Sequence, residues 1–126
     1  MLRTAFFVPA MLLAAPLAAA PVTGQWHLTG EISGESFVVD CHFEPRDKQF
    51  GGVCIDTSSS YSGNKGGKPH ILTSGESDGS RISWSYDARV LFLSVGIRFT
   101  GMLNGDRMAG TISAAGRKGS FAGYRK

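Results

Sequence analysis

The sequence predicts an all-β fold: a small, eight-stranded, antiparallel up-and-down β-barrel with one disulfide hairpin. Apolar and polar residues alternate with the period of two that marks a strand with one buried face. Short turn signals separate these runs, and no helical period appears after residue 20. Sheets of this kind remove their edges by closing on themselves. The long polar stretch before Pro69 leaves a β-sandwich as the alternative.

Residues 1–20 have the three parts of a secretory signal peptide. Arg3 supplies the positive charge, Ala5–Ala15 is the apolar region, and Ala18–Ala20 provides small residues for cleavage. The apolar region is too short to span a bilayer. We therefore predict a signal peptide over 1–20, a single barrel domain over 21–126, a periplasmic or secreted location and no membrane span. A cut after Ala20 would leave Pro21 at the new N-terminus, which signal peptidases disfavour, so the exact cleavage site stays open.

The stretch Phe37–Asp56 contains both cysteines of the chain. In its first strand, apolar and polar residues alternate from Phe37 to Glu44. The polar run 45–49 then reverses the chain, and a second strand begins at Gly51. With Asp47-Lys48 as the tip, Cys41 lies directly opposite Cys54, at a separation that a disulfide can bridge. Export exposes the pair to an oxidising environment. The sequence therefore predicts a Cys41–Cys54 disulfide.

The other strands follow from the remaining turn signals. A tip at Ser33-Gly34 places the first strand, Gly24–Ile32, beside the cysteine hairpin, with Trp26 opposite Cys41. Later strands are predicted at Pro69–Ser74, Arg81–Asp87 and Val90–Leu103, and two more end the chain. Their tips are predicted at Asp78-Gly79, Ala88-Arg89, Asn104-Gly105 and Gly116-Arg117. These tips predict the facing pairs Trp84–Leu93, Tyr86–Leu91, Ile82–Val95, Ile97–Ile112, Gly101–Met108, Phe121–Ile112 and Arg125–Met108.

The inward face carries two opposing signals about the barrel interior. Its many large side chains favour a filled core, whereas its glycines leave space for a ligand. The large residues are Trp26, Leu28, Phe37, Val39, Phe43, Ile71, Ile82, Trp84, Tyr86, Leu91, Leu93, Val95, Ile97, Phe99, Met108, Ile112 and Phe121. The glycines are Gly30, Gly52, Gly101, Gly110 and Gly123.

The reactive residue types form no catalytic or metal-binding pattern. His27, His42 and His70 lie on different predicted strands, point outward by alternation and lack ligand spacing. No serine lies in a nucleophile elbow, and the cysteines lack Cys-x-x-Cys spacing. We therefore expect no enzyme, no metal and no cofactor.

The basic charge of the chain is unevenly placed. Without Arg3 the 13 basic and 10 acidic residues leave a net charge of +2. From Arg98 onward Asp106 is the sole acidic residue. A solvated basic face is the simplest interpretation, and attraction to an anionic envelope or polymer is the alternative. Since aromatic residues do not alternate with these charges, we expect no nucleic-acid partner.

Several motifs resemble known families. Gly24-Gln25-Trp26 on the first strand, with Arg125 on the last, resembles the calycin superfamily of lipocalins, fatty-acid-binding proteins and avidins. That resemblance implies a barrel in which the Trp packs near the Arg. Together with the cysteine hairpin and Ile82–Tyr86, the run Phe99–Phe121 is similar to small secreted bacterial β-proteins without an assigned function. The Gly-Gln-Trp-x-Leu opening also resembles periplasmic inhibitors of metalloproteases.

Two functions remain open. The first is binding of a small apolar ligand inside the barrel, with Trp84, Tyr86, Thr73 and Asp56 as the candidate ligand-binding residues. The second is a protein-interaction module of the cell envelope, such as a periplasmic protease inhibitor. The interaction module would use an exposed surface, for which Val53, Ile55 and the loop Thr57–Lys68 are candidates.

Overall fold

A computed structural model of the protein describes residues 21–47, 49–59, 67–90 and 93–126. The predicted signal peptide, the middle of the predicted loop before Pro69, and Leu91 lie outside the described residues. Nine strands occur in the described part of the chain: β1 Gly24–Ile32, β2 Glu35–Arg46, β3 Gln49–Ser59, β4 Lys68–Ile71, β5 Ser74–Asp78, β6 Arg81–Val90, β7 Leu93–Asn104, β8 Arg107–Ala114 and β9 Arg117–Arg125. No helix in these ranges is long and apolar enough to cross a membrane.

The strands form one antiparallel, curled sheet in the order β4-β3-β2-β1-β9-β8-β7-β6-β5. The all-β prediction is confirmed, as is the pairing of the first strand with the last: Trp26 faces Arg125. The count of eight strands is wrong, because the segment predicted as one strand over Pro69–Ser74 divides into β4 and β5. β4 pairs with β3, whereas β5 pairs with β6.

The turns lie at two opposite ends of the sheet, a lower end and an upper end. The lower end holds the connections after β2, β5 and β7 together with the start of β1 and the end of β9. The upper end holds the connections after β1, β3, β6 and β8. The buried core residues extend from Val22 and Phe50 near the lower end to Tyr86 toward the upper end.

The register of the first two hairpins confirms the sequence prediction. Trp26 faces Cys41 in β1–β2, and Cys41 faces Cys54 in β2–β3. The two cysteines form the predicted disulfide, with their Cα atoms 4.0 Å apart. At the first tip Ser33 and Gly34 both have positive φ, as a tight hairpin turn requires.

The predicted registers of the later hairpins are wrong. Val90 faces Leu93, so β6–β7 turns between these residues and not at Ala88-Arg89. Asn104 faces Arg107, which moves the next tip from Asn104-Gly105 to Gly105-Asp106. The observed pairs that replace the predicted ones are Trp84–Phe99, Tyr86–Ile97, Ile82–Gly101, Phe99–Ile112, Ile97–Ala114, Leu103–Met108, Gly110–Phe121, Ile112–Gly119 and Met108–Gly123.

The predicted inward face is largely right, with two exceptions among the described residues. Ile71 is 73% exposed and Leu93 is 68% exposed, although both were expected in the core. His70 faces Cys54, which places His70 on the inner face and Ile71 on the outer one. The error arose because a long connection precedes β4, so no turn fixed its alternation in the sequence. Leu93 is in phase with the core but precedes Ile97, the residue at which the pairing of β7 with β8 begins.

Candidate functional site

The middle of the sheet is filled by aromatic rings. Trp84 is fully buried and stacks on Phe99, with ring centroids 4.7 Å apart and planes at 8°. The edges of Phe43 and Phe121 close the remaining sides, at centroid distances of 4.9 Å and 5.6 Å. Among the described residues, the indole Nε1 of Trp84 has no hydrogen-bond partner. Trp84, a predicted ligand-binding residue, therefore lies inside the packed core.

The inward glycines do not leave empty space in this region. A Cβ added to Gly101 would lie 3.1 Å from the Phe121 ring and 2.4 Å from the carbonyl oxygen of Ala109. At Gly30 it would lie 2.6 Å from the ring of Phe37. Neighbouring aromatic rings and backbone occupy the volume that these glycines release, so the glycines serve close packing here.

Packing changes toward the upper end. Four apolar residues there are only partly buried while still packing against the core: Ile32, Phe37, Ala88 and Ile97. Ile97 faces Tyr86 across β6–β7. The rings of Phe37 and Phe99 meet edge to face, with their centroids 6.3 Å apart. These four side chains form the upper apolar layer. They cover the aromatic core on one side and are partly open to solvent on the other.

Asp56, His70 and Tyr86 form a polar cluster at the margin of this layer. The Nε2 atom of His70 lies 3.0 Å from Oδ2 of Asp56, with side-chain exposures of 11% and 35%. The His70 ring stacks on the Tyr86 ring at 4.9 Å, with an interplanar angle of 11°. The cluster joins the consecutive strands β3 and β4 to β6. It brings together two predicted ligand residues, Asp56 and Tyr86, with His70, which alternation predicts on the outer face.

Tyr86 is held in its neutral form. Burial raises the pKa of its hydroxyl far above the ordinary value of 10.0, and the negative charge of Asp56 raises it further. A neutral hydroxyl beside a carboxylate can donate a hydrogen bond but does not become a base near neutral pH. The cluster therefore offers one carboxylate, one imidazole and one neutral phenol for recognition.

A β-bulge shapes the strand that carries Asp56. The β2–β3 register shifts between Val38 and Val39, so that Val39 faces Asp56 and Val38 faces Ser58. Thr57 is the extra residue, and its Oγ1 donates to the carbonyl oxygen of Val38 at 3.2 Å. Bulges bend a strand and re-aim its side chains. This bulge separates the regular disulfide region from the strand end near the polar cluster.

The lower end is tied down by Arg125. Its guanidinium carbon lies 4.5 Å from the Trp26 ring centroid. The same group donates to the carbonyl oxygens of Thr23 and Pro21, at 2.5 Å and 2.7 Å, and pairs with Asp106 at 2.9 Å. Trp26 Nε1 donates to the carbonyl oxygen of Val22 at 2.7 Å. These bonds fix residues 21–23 across the lower end of the core.

Thr73 lies apart from the other predicted ligand residues. Its side chain is exposed, and its backbone N–H donates to the carbonyl oxygen of Ser85 at 2.8 Å. It borders an open depression of about 270 Å³ beside Phe50 and Leu72. A second open depression, of about 390 Å³, is lined by residues of β1, β2 and β9 that include Phe37. Neither depression contains the polar cluster.

The other two histidines lie on the outer face, as predicted. His42 is exposed, and His27 pairs through Nδ1 with Asp40 at 2.7 Å. Among the described residues, no three side chains of metal-binding type come together.

His70 is the functional candidate that sequence reasoning missed. Its inward position depends on the β3–β4 register, and no short turn in the sequence indicates that register.

No protein-family model, no curated protein and no solved structure shows significant similarity to this chain.

Proposed function

We propose that this chain is an exported, non-enzymatic β-barrel protein that binds a small apolar ligand at its upper end. The observation that carries the proposal is the change of packing along the sheet. A filled aromatic core gives way to the partly buried upper apolar layer, with the Asp56–His70 pair at its margin. Small-molecule sites combine apolar walls with a few placed polar groups.

The proposal includes a closed, calycin-like barrel. β4 and β5 are consecutive, and they act as one strand broken at Leu72 and Thr73. The N–H of Leu72 donates to the carbonyl oxygen of Gly52 on β3, and that of Thr73 to Ser85 on β6. One short segment thereby bridges both edges of the sheet. The packing of Arg125 on Trp26 supports the calycin resemblance.

The polar cluster has a binding role in this proposal. Stacking on Tyr86 and pairing with Asp56 hold the His70 ring in one orientation. A fixed imidazole beside an apolar layer can orient the polar group of a ligand whose body contacts Phe37 and Ile97. The Cys41–Cys54 disulfide supports a periplasmic or secreted location.

Ligand binding is tested by thermal unfolding and tryptophan fluorescence with a panel of small apolar compounds. A ligand should raise the melting temperature as its concentration passes the dissociation constant. Ile97→Ser should remove this shift, because Ile97 belongs to the upper apolar layer. Ile71→Ser is the matched control: Ile71 is 73% exposed on the outer face, and its change should leave the shift intact.

Quenching of fluorescence locates the ligand relative to the core. Trp84 lies next to Phe99, which contacts Phe37 of the upper apolar layer. Trp84→Phe should therefore keep the fold and remove most of the quenching, with Trp26 contributing background. A panel that gives neither thermal shift nor quenching would contradict the ligand proposal.

The second candidate is a protein-interaction module of the cell envelope, such as a periplasmic protease inhibitor. The outer face of β3 and β4 favours it: Ile71 is largely exposed opposite Val53, and Ile55 is half-buried beside Pro69. A partner bound there should be lost with Ile71→Ser and kept with Ile97→Ser, the reverse of the ligand result.

A further inference from the structure

One cross-strand row on the inner face connects the last strand to the polar cluster. Trp26 faces Arg125 on one side and Cys41 on the other, and Cys41 faces Cys54. Cys54 in turn faces His70, whose ring stacks on Tyr86 of β6. Side chains directly opposite each other on neighbouring strands interact. The row is named the disulfide row, and it runs from β9 to β4 through Arg125, Trp26, Cys41, Cys54 and His70.

The disulfide adjoins both members of the ion pair in the polar cluster. His70 lies directly opposite Cys54, and Asp56 lies two residues along β3, on the same face as Cys54. Asp56 Oδ2 and His70 Nε2 are 3.0 Å apart. Cys54 is fully buried, and Cys41 is 2% exposed. The positions of Asp56 and His70 therefore depend on where Cys54 is held.

The backbone of β3 is irregular on both sides of Cys54. Below it, Gly52 has a φ of 138°, in the region that favours glycine. Above it, the β-bulge shifts the register of β3 between Val38 and Val39 of β2. The Cys41–Cys54 bond lies between these two irregular points. It is therefore well placed to fix the stretch of β3 that carries Cys54 and Asp56.

The register of β4 depends on this same stretch of β3. β4 is four residues long and lies at one end of the strand order. Just after it, the N–H of Leu72 donates to the carbonyl oxygen of Gly52 at 3.0 Å, so this end of β4 is bonded to an irregular point of β3. A slip of β4 by one residue would turn His70 to the outer face. Whatever fixes Cys54 therefore also fixes His70.

We propose that the polar cluster is under redox control: it is complete while Cys41 and Cys54 are bonded and is lost when they are reduced. A dithiol reductant breaks the S–S bond by supplying two electrons and two protons, which leaves two cysteine thiols and converts the reductant into a disulfide. The freed sulfur atoms move apart to van der Waals distance. β3 then shifts against β2 at its irregular points, and His70 loses its place opposite Cys54.

Two consequences follow from this coupling. Because both sulfur atoms are buried, the exchange is slow in the folded protein, and the oxidised form persists after export. The second consequence rests on the proposed function: a ligand that uses the polar cluster binds the oxidised, exported protein and not the reduced chain. The coupling is also reciprocal, so the polar cluster must stabilise the disulfide in its turn.

This reciprocity is tested by thiol–disulfide equilibrium with protein in its exported form. The protein is equilibrated with mixtures of reduced and oxidised dithiothreitol, and its reduced fraction is measured by thiol alkylation and mass spectrometry. His70→Ala should lower the ratio of reduced to oxidised dithiothreitol at half-reduction, on the order of tenfold. His42→Ala is the matched control, because His42 adjoins Cys41 in sequence but is exposed on the outer face. Its ratio should equal that of the parent.

A second control separates the coupling from overall stability. Ile112→Ala truncates a buried residue of β8, outside the disulfide row. Its loss should destabilise the oxidised and the reduced protein alike, so the half-reduction ratio should stay at the parent value.

The position of the His70 ring is followed by carbethoxylation of histidines with diethyl pyrocarbonate. In the oxidised parent His70, at 11% side-chain exposure, should react more slowly than the exposed His42. Cys41→Ala combined with Cys54→Val fills the volume of the sulfur atoms without the bond, and His70 should then react as fast as His42. Phe43→Ala is the control for lost stability: it keeps the bond, and its His70 should stay protected.

Three results would overturn the proposal. The first is an equal half-reduction ratio in the parent and His70→Ala, which would mean that no coupling exists. The second is an equal change in His70→Ala and Ile112→Ala, which would mean that reduction follows overall stability. The third is continued protection of His70 in the folded double cysteine variant, which would mean that the backbone ladder alone places the ring.

Circular dichroism and the melting temperature establish that each variant is folded. If the double cysteine variant does not fold, the dithiothreitol equilibrium decides the question, because His70→Ala and its controls keep both cysteines. No small ligand is present in either assay, so failure of the redox coupling and failure of the proposed ligand binding are distinguishable.

Discussion

The inward apolar side chains are buried at the lower end of the sheet and only partly buried at the upper end. At the lower end Val22, Trp26, Phe43 and Phe50 are at most 2% exposed, and Arg125 fastens residues 21–23 over them. At the upper end the apolar layer is only partly buried, and Leu93 is largely exposed. Burial of apolar area is the main stabilising contribution in folding. The lower end therefore supplies stability, while the upper end leaves apolar surface available for contacts with other molecules.

The largest effect is expected from matched phenylalanine truncations at the two ends. Phe43 is 1% exposed, with its ring against Phe50 at 5.1 Å and Trp84 at 4.9 Å. Phe43→Ala should reduce the free energy of unfolding by about 3–5 kcal/mol. Phe37→Ala, in the upper apolar layer, should cost roughly 1–2 kcal/mol because less area leaves water there. Urea unfolding of both variants measures the difference, and equal losses would abolish the distinction between the ends.

The disulfide gives the next largest effect and lies between the two ends, because Cys41 faces Trp26 and Cys54 faces His70. It closes a loop between residues separated by 13 positions. Replacing Cys41 and Cys54 together by Ala should lower the free energy of unfolding by about 3 kcal/mol, on the chain-entropy account. Thiol titration of the unreduced parent should find no free thiol. Two titratable thiols would show that the exported protein lacks the bond.

Alternation predicted the faces better than the pairs. At Asn104 the predicted tip and the observed tip differ by one residue, because Gly105 rather than Asn104 takes the positive φ of the first turn position. A one-residue shift of the tip changes every pair by two residues and keeps each side chain on its face. Ile112 is therefore buried as expected, although it faces Phe99 and not Ile97.

The candidate site was only half predictable for physical reasons. The inward position of Asp56 follows from the register of the cysteine hairpin, because the turn at Asp47-Lys48 places Asp56 opposite Val39. His70 depends on a register reached through a long connection, and sequence carries no local signal for it. The β6–β7 tip was missed because it lies among apolar residues, while turn rules favour polar residues and glycine. The two features that the sequence did not predict, the inward position of His70 and the position of the β6–β7 turn, both belong to the upper end.

Tyr86 marks the boundary between the two ends and provides the smallest predicted effect. Burial, with a contribution from Asp56, raises the pKa of its hydroxyl in the folded state above the ordinary 10.0 of the unfolded chain. The folded state therefore binds the Tyr86 proton more tightly than the unfolded state. This contribution to stability is fully present below about pH 10 and declines as pH rises above it. The slope from this one group is at most about 1.4 kcal/mol per pH unit.

Urea midpoints measured from about pH 9 to pH 11 test this sign. Tyr86→Phe should flatten the alkaline decline relative to the parent, because Phe has no proton to lose. Tyr124→Phe is the control: Tyr124 is 47% exposed, and its loss should leave the decline unchanged. An unchanged slope in Tyr86→Phe would mean that water reaches the Tyr86 hydroxyl in the folded protein. The loosely packed upper end would then extend down to the ring that stacks on His70, and the boundary would lie deeper, between Tyr86 and Trp84.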